Sequence, residues 1–486
     1  MSRIKRQGIL NIMISYLGIG LGFFIIIFKA RLFTTEELGV LSIITTIAVL
    51  SGFIVNFGLH SVISKFYYRA GNNEEKKNAM LFSLFSLTIA NFIAVSLILL
   101  IFKDFILLEY NNSLLSNYFY VIFIIIFAES LNKIWISLFL VQFKSVLCNF
   151  INDFFFKTSS FVLLFLVYIS LITFSHFIIL FSLLYVFRVF LFLFFFLVDF
   201  KWIKPDFRVV NKSNIKVALN YSFFMFFGGL AGILTKTIDK LMLGAFLNIE
   251  VVGIYSIIIT FPILIQTIGN AFSMTAHAQI SKYWQEDNIE GIKSLYRENA
   301  GLQMFLGFFF LGTFSIFGRE LLLFIGEEYV GAYTAFVFLL VGEFINISTG
   351  MCGGIISYSK FYRFDFYIRT VLVLFTILSN LIFIPLWGLN GAAFATALSL
   401  ILYNILKFTI VKVKIGLHPY SLESVAVVVS GAVFFAFVYF IQKYIQLENV
   451  LAIIGFSLFS FLLYLFYSKV LFKFSFLKNL KQFVRK

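Results

Sequence analysis

"RLFTTEELGVLSIITTI", Arg31–Ile47, closes one apolar run and opens the next, and the chain contains it twice. The second copy is "AFLNIEVVGIYSIIITF", Ala245–Phe261. Aligned, the two share Glu36 with Glu250, Gly39 with Gly253, Ser42 with Ser256, Ile43 with Ile257, Ile44 with Ile258 and Thr46 with Thr260. Downstream, "ISKFY" from Ile63 is echoed by "ISKYW" from Ile280. The glutamate–glycine spacing and the later echo indicate an internal duplication, so the architectural unit is less than half of the chain.

The setting of both copies is apolar. Of 486 residues, 61% are hydrophobic and only 13% charged, and the mean hydropathy is +0.99. Soluble domains are nearer half apolar and a quarter charged. Seventy phenylalanines and only four prolines lie in or between apolar runs of helix length. Runs of about 20 residues match a hydrocarbon core of roughly 30 Å at 1.5 Å rise per residue. They are too long, and too little alternating, for outer-membrane strands. The expected class is therefore an all-α integral membrane protein. The opening "MSRIKRQG" resembles the start of a signal sequence, but the apolar stretch behind it is long and lacks a small-residue cleavage site, so a retained first helix is expected.

Fourteen transmembrane helices are expected, near 9–28, 39–57, 79–102, 118–140, 154–174, 176–198, 218–243, 252–275, 300–318, 331–358, 368–386, 389–411, 423–441 and 449–468. Positive charge orients them. With a cytoplasmic N-terminus, the inner segments hold 28 Lys and Arg and the outer ones 5, namely Lys29, Arg31, Lys103, Arg319 and Lys443. Both termini are thus expected on the cytoplasmic side. This topology also absorbs the net charge of +15, which scattered short loops carry without any nucleic-acid-binding pattern. No connection is long enough to hold a soluble active site.

The two copies of the repeat are six helices apart and so share one orientation across the membrane. Parallel repeats imply two six-helix lobes with a substrate cavity between them. The expected organisation is an N-terminal lobe (1–199), a cytoplasmic linker (200–217), a C-terminal lobe (218–411), and helices 13 and 14 with a basic tail (412–486).

"ARLFTTEELGVLS", "NFGLHSVISKFYY", "DKLMLGAFLNIEVVGIYS" and "IPLWGLNGAAFATALS" resemble, in order and spacing, recurring segments of polysaccharide repeat-unit (O-antigen) flippases of the Wzx type. These belong to the superfamily of multidrug, oligosaccharidyl-lipid and polysaccharide exporters. The resemblance implies a V-shaped transporter in the bacterial inner membrane. Its substrate would be an undecaprenyl-diphosphate-linked oligosaccharide, moved from the cytoplasmic to the periplasmic leaflet by alternating access. A polysaccharide polymerase and chain-length machinery are the further partners it implies.

Eight ionisable residues fall inside the expected helices: Glu129, Lys133, Lys157, Arg188, Lys236, Asp239, Lys240 and Glu343. Each would cost roughly 2.5–3.5 kcal/mol if it faced lipid at mid-bilayer, so they are expected to face one another or a wet cavity. Glu129 and Lys133 have the favourable i,i+4 spacing, and Asp239 can reach Lys236 at i−3. Lys157 suits snorkelling to an interface. Five cations against three acids leave positive charge over, which suits a lipid diphosphate. The expected diphosphate contacts are Arg188, Lys236, Lys240 and Lys133, with Lys29 and Arg31 receiving the headgroup at the outer mouth. Glu129, Asp239 and Glu343 are the carboxylates available for coupling to an H⁺ or Na⁺ gradient. No metal motif is present: the four histidines form no ligating pair, and Cys148 and Cys352 lie apart in apolar segments. A multidrug extruder is the first competing reading, although cationic drugs would favour surplus acid. A membrane polymerase or glycosyltransferase is the second, against which the outer loops are short and without motif.

Overall fold

The computed structural model describes residues 3–70, 73–199, 212–420 and 422–445, together with Phe459. These residues are almost wholly helical, and the chain divides into two compact units, Met1–Ser256 and Ile257–Lys486. The expected linker lies mostly outside the described residues, as do the expected helix 449–468 and the basic tail.

The first unit contains α1 (Arg3–Leu32), α2 (Thr35–Asn56), α3 (Leu59–Phe66), α4 (Glu74–Ile101), α5 (Lys103–Tyr110), α6 (Ser113–Tyr118), α7 (Val121–Val141), α8 (Ser145–Asn149), α9 (Phe156–Tyr168), α10 (Phe174–Asp199), α11 (Lys212–Phe246) and most of α12 (Ile249–Ile258). At its centre lies α2, apolar on nearly every side and buried from Leu38 to Ala48 apart from Thr45. A helix apolar all round is one that other helices surround. Small residues let them come close: a Cβ on Gly52 would stand 3.0 Å from the Cβ of Glu129 on α7. The start of α2 is fixed by a capping box. Thr34 Oγ1 accepts from the Glu37 amide at 3.2 Å, and Glu37 Oε2 accepts from the Thr34 amide at 2.9 Å.

Two breaks shape this unit. Between α2 and α3, Phe57 (φ 46°) and Gly58 (φ 73°) are both left-handed. Between α8 and α9, Phe150–Phe155 forms a π-helical turn, so one continuous span runs from Ser145 to Tyr168. The sequence places the start of this span at 154. The structure corrects that by about nine residues and draws Asp153 into the helix.

The second unit contains α13 (Thr260–Gln285), α14 (Ile289–Ile316), α15 (Gly318–Ile325), α16 (Tyr333–Ser348), α17 (Cys352–Tyr358), α18 (Arg363–Ile410) and α19 (Leu422–Ile445). Here α16 is the central helix. Gly342 lets it meet α18, where an added Cβ would lie 2.7 Å from the Ala397 Cα. Within α18, Gly388 (φ 56°, ψ −130°) behind Pro385 interrupts the helical backbone, so two expected spans appear as one kinked helix.

Eleven described helical segments are long and apolar enough to cross a membrane. Counting α18 as two and adding the 30-residue α1 accounts for the first thirteen expected spans. The chain is a multi-pass, all-α membrane protein. A side chain at Gly388 would have to hold a backbone conformation that costs L-residues of order 1–3 kcal/mol. Gly388→Ala is therefore expected to lower the melting temperature of the detergent-solubilised protein, whereas Gly353→Ala, where a Cβ meets nothing within 4 Å, should not.

Candidate functional site

Most of the ionisable side chains expected in the membrane lie in the first unit, on α7, α9, α10 and α11. Arg188 Nη2 on α10 donates to Glu129 Oε1 on α7 at 2.6 Å, with Arg188 buried and Glu129 half-buried. The guanidinium also lies over the rings of Phe156 (4.9 Å) and Tyr185 (5.0 Å). The i,i+4 spacing suggests Lys133 as the partner of Glu129. The structure gives Glu129 to Arg188 instead, and Lys133 Nζ sits over the Phe53 ring at 4.3 Å. This leaves Lys133 within electrostatic range of Glu129 and of His60. His60 is itself held by Asn56, whose Oδ1 lies 2.6 Å from its Nδ1, while Asn56 Nδ2 donates to the Ser130 carbonyl at 3.2 Å.

On α11, Asp239 is buried and accepts from the hydroxyl of Tyr255 at 3.1 Å. Lys240 is half-buried, and its charge acts on Lys29 of α1, whose ammonium lies 4.8 Å from the Phe181 ring. Arg31 and Lys236 are exposed. Lys157 lies 3.9 Å from Asp153 on the π-helical turn, a partner the sequence reading left outside the helix. Tyr255 and Asn56 also have no assignment from sequence, because Tyr255 meets Asp239 and Asn56 meets Ser130 across helices, which spacing along one helix does not reveal.

The exposure of Lys236 is informative because of what shares its face. Ser222, Gly229 and Lys236 recur every seven residues along α11 and so project to one side. That side faces α2. Ser222 Oγ donates to the Phe57 carbonyl, and a Cβ on Gly229 would touch the Phe53 ring at 2.5 Å. Phe226 stacks on both Phe53 (5.6 Å) and Phe57 (4.6 Å), completing a closed aromatic contact at this end. At the other end, a Cβ on Gly244 would lie 3.3 Å from Ile43 Cδ1 and 2.5 Å from the ring of Tyr110. The Tyr110 hydroxyl donates to the Leu241 carbonyl at 3.2 Å. Between these contacts, roughly 10 Å from each at 1.5 Å per residue, Lys236 is exposed. Lys236 is thus open to its surroundings between two points at which α11 meets α2. Lys133 marks one end of the opening, and Lys240 with Lys29 the other.

In the second unit, Glu343 is buried on α16. It accepts from Asn346 Nδ2 at 2.8 Å and from Gln266 Nε2 at 3.5 Å. Asn346 in turn accepts from Asn404 Nδ2 at 3.1 Å, and Asn404 accepts from Thr349 at 2.7 Å. No group of three or more His, Cys, Asp or Glu suited to a metal occurs among the described residues.

This all-helical membrane bundle shares its overall fold with solved membrane transporters. Over 96% of this chain and 99% of the other, the structure is similar to the lipid II flippase MurJ in its inward closed conformation, at TM-score 0.78 and 14% identity. It is also similar to an inward-facing multidrug resistance MATE transporter of the MOP superfamily, at TM-score 0.61 and 14% identity over 84% of this chain and 98% of that one. A Vibrio cholerae MATE transporter follows at TM-score 0.57 and 11% identity, covering 85% and 98%. No curated protein matches the sequence. Residues 4–284 match the polysaccharide biosynthesis protein family, and the chain belongs to it.

Removing one partner from a buried ion pair leaves the other uncompensated, at a cost of about 3–5 kcal/mol. Arg188→Met alone should therefore lower thermal stability in detergent more than the double variant Arg188→Met with Glu129→Leu. Equal losses would show that an uncompensated Glu129 adds no cost to the fold.

Proposed function

We propose that this chain is a flippase carrying undecaprenyl-diphosphate-linked oligosaccharide repeat units, of the O-antigen or capsule type. It moves them from the cytoplasmic to the periplasmic leaflet of the bacterial inner membrane by alternating access. The observation that carries this reading is the exposed Lys236 between two closed contacts of α2 with α11, with Lys133 at one end of the opening and Lys240 and Lys29 at the other. Ammonium groups gathered in a restricted space repel one another, and a diphosphate relieves that repulsion. Membership in a polysaccharide biosynthesis family supports a glycan-bearing substrate, and a lipid-linked one suits the shared fold with a lipid II flippase. Arg188, neutralised by Glu129, is assigned to holding α7 against α10. The substrate contacts are then Lys29, Lys133, Lys236 and Lys240, with Arg31 at the mouth.

In this reading both termini are cytoplasmic, and the α1–α2 turn faces the periplasm. A polymerase with its chain-length machinery consumes the delivered units. Coupling falls to Glu343. Glu129 is neutralised by Arg188, whereas Glu343 takes hydrogen bonds from two carboxamides, an environment in which proton uptake changes the charge of the second unit's interior. Glu343→Gln is expected to abolish stimulation of transport by an inward H⁺ or Na⁺ gradient while leaving downhill exchange.

The competing reading, extrusion of cationic drugs, is separated by one assay. In proteoliposomes containing a lipid-diphosphate oligosaccharide, Lys236→Ala with Lys240→Ala should slow flipping at least tenfold without impairing membrane insertion. Wild-type flipping by the double variant, or transport of cationic drugs in place of the lipid, overturns the proposal.

A further inference from the structure

The two copies of the repeated sequence touch each other, and they do so reciprocally. A Cβ on Gly39 would collide with the main-chain carbonyl of Ile249, and its distance to Ile249 Cγ2 would be 2.6 Å. A Cβ on Gly253 would collide with the main-chain carbonyl of Thr35, and it would lie 3.0 Å from the amide nitrogen of Gly39. In the alignment Gly39 corresponds to Gly253, and Thr35 to Ile249. Each glycine therefore receives the carbonyl that stands four residues before its counterpart. Two helices that cross with equivalent residues exchanging roles do so about a local two-fold axis. The contact is backbone on backbone, at the separation that small residues permit between membrane helices and that Cα–H···O contacts reward.

The flanking residues hold both helix starts in place. The capping box of Thr34 and Glu37 fixes α2, and Asn112 Nδ2 donates to Glu36 Oε1 at 2.6 Å. Asn248 Oδ1 accepts from the Val251 amide at 2.9 Å and caps α12. Just below lies the contact of Gly244 with Ile43 and Tyr110, and below that the opening with Lys236.

We propose that this glycine crossing is the seal that closes the mouth of the vestibule on the side of the α1–α2 turn. The two repeat copies are kept as a matched pair because each supplies the bare Cα on which the other closes. The only side chain at the crossing is that of Ile249, packed on Gly39, and the rest of the seal is rigid main chain. The seal is either in contact or parted, and a methyl group on either glycine props it open. The inference requires a vestibule between α2 and α11 but does not depend on its occupant being a diphosphate.

The test measures access rather than transport, so its outcome is separable from the substrate assignment. Gly232 lies one turn before Lys236 on α11, and a Cβ there meets nothing within 4 Å, so Gly232→Cys serves as the reporter in a background with Cys148→Ser and Cys352→Ser. In oriented vesicles, a membrane-impermeant maleimide is added from the side of the α1–α2 turn. Gly39→Ala and Gly253→Ala, each alone, should raise the labelling rate about tenfold, a shift toward the open state of the size that one tenfold population change represents. Gly228→Ala, on α11 but in open space, should leave it unchanged. If both alanine variants fail to fold, Ile249→Ala keeps every backbone atom and removes only the side chain packed on Gly39. A rise in labelling with that variant supports the seal. An unchanged rate in folded Gly39→Ala and Gly253→Ala, or in Ile249→Ala, overturns it.

Discussion

In hydrocarbon a backbone amide must find its partner within its own helix, while an ionised side chain must find one outside it. The first requirement makes the described residues helical almost throughout. The second decides which helices adjoin. Arg188 and Glu129 lie on α10 and α7, 2.6 Å apart, and each would be too costly to bury alone. Asp239 is turned toward Tyr255 of the next helix, and Glu343 is ringed by the carboxamides of α13 and α16. The lysines are placed differently. Lys133 and Lys29 rest over aromatic rings, and Lys236 is exposed on a face whose other members are packed. Aromatic faces stabilise an ammonium without neutralising it, which keeps the charge available to an anion.

How much of this was legible follows from which physical signal each feature leaves. Span number is set by hydropathy, a property of each segment by itself, and the expected helices reappear wherever the residues are described. Boundaries fared worse where the backbone departs from the α-helix. The π-helical turn at Phe150–Phe155 moves a helix start back to Ser145, and Gly388 joins two spans that hydropathy separates. Charge pairing was misjudged at Glu129 because spacing along one helix offers only Lys133, while the actual partner stands 59 residues on. Lys236 was picked out for its setting in an apolar run, yet its significance comes from Ser222 and Gly229 on the same face, each meeting α2. The heptad spacing of these three residues was available in the sequence, and the identity of the opposing helix was not.

The repeat illustrates the same division. Matching glutamates and glycines reveal that a segment was duplicated. They do not reveal that the copies meet, or that Gly39 and Gly253 are the points of contact. A glycine in a helix interior is usually a cost of about 1 kcal/mol relative to alanine. Here two such costs fall at symmetric positions, and the backbone approach they allow accounts for both.

The π-helical turn carries a further implication for comparing this chain with others. Winding one additional residue into Phe150–Phe155 turns the preceding segment by about 100° relative to the residues that follow. The face that Ser145 and Asn149 offer to Asn11 is thus out of phase with the face that carries Lys157. A relative whose corresponding helix is regular would have one amino acid fewer between Cys148 and Phe156. Its alignment to this chain should carry a lone gap in that interval, and an ungapped alignment would pair charged positions that point in different directions.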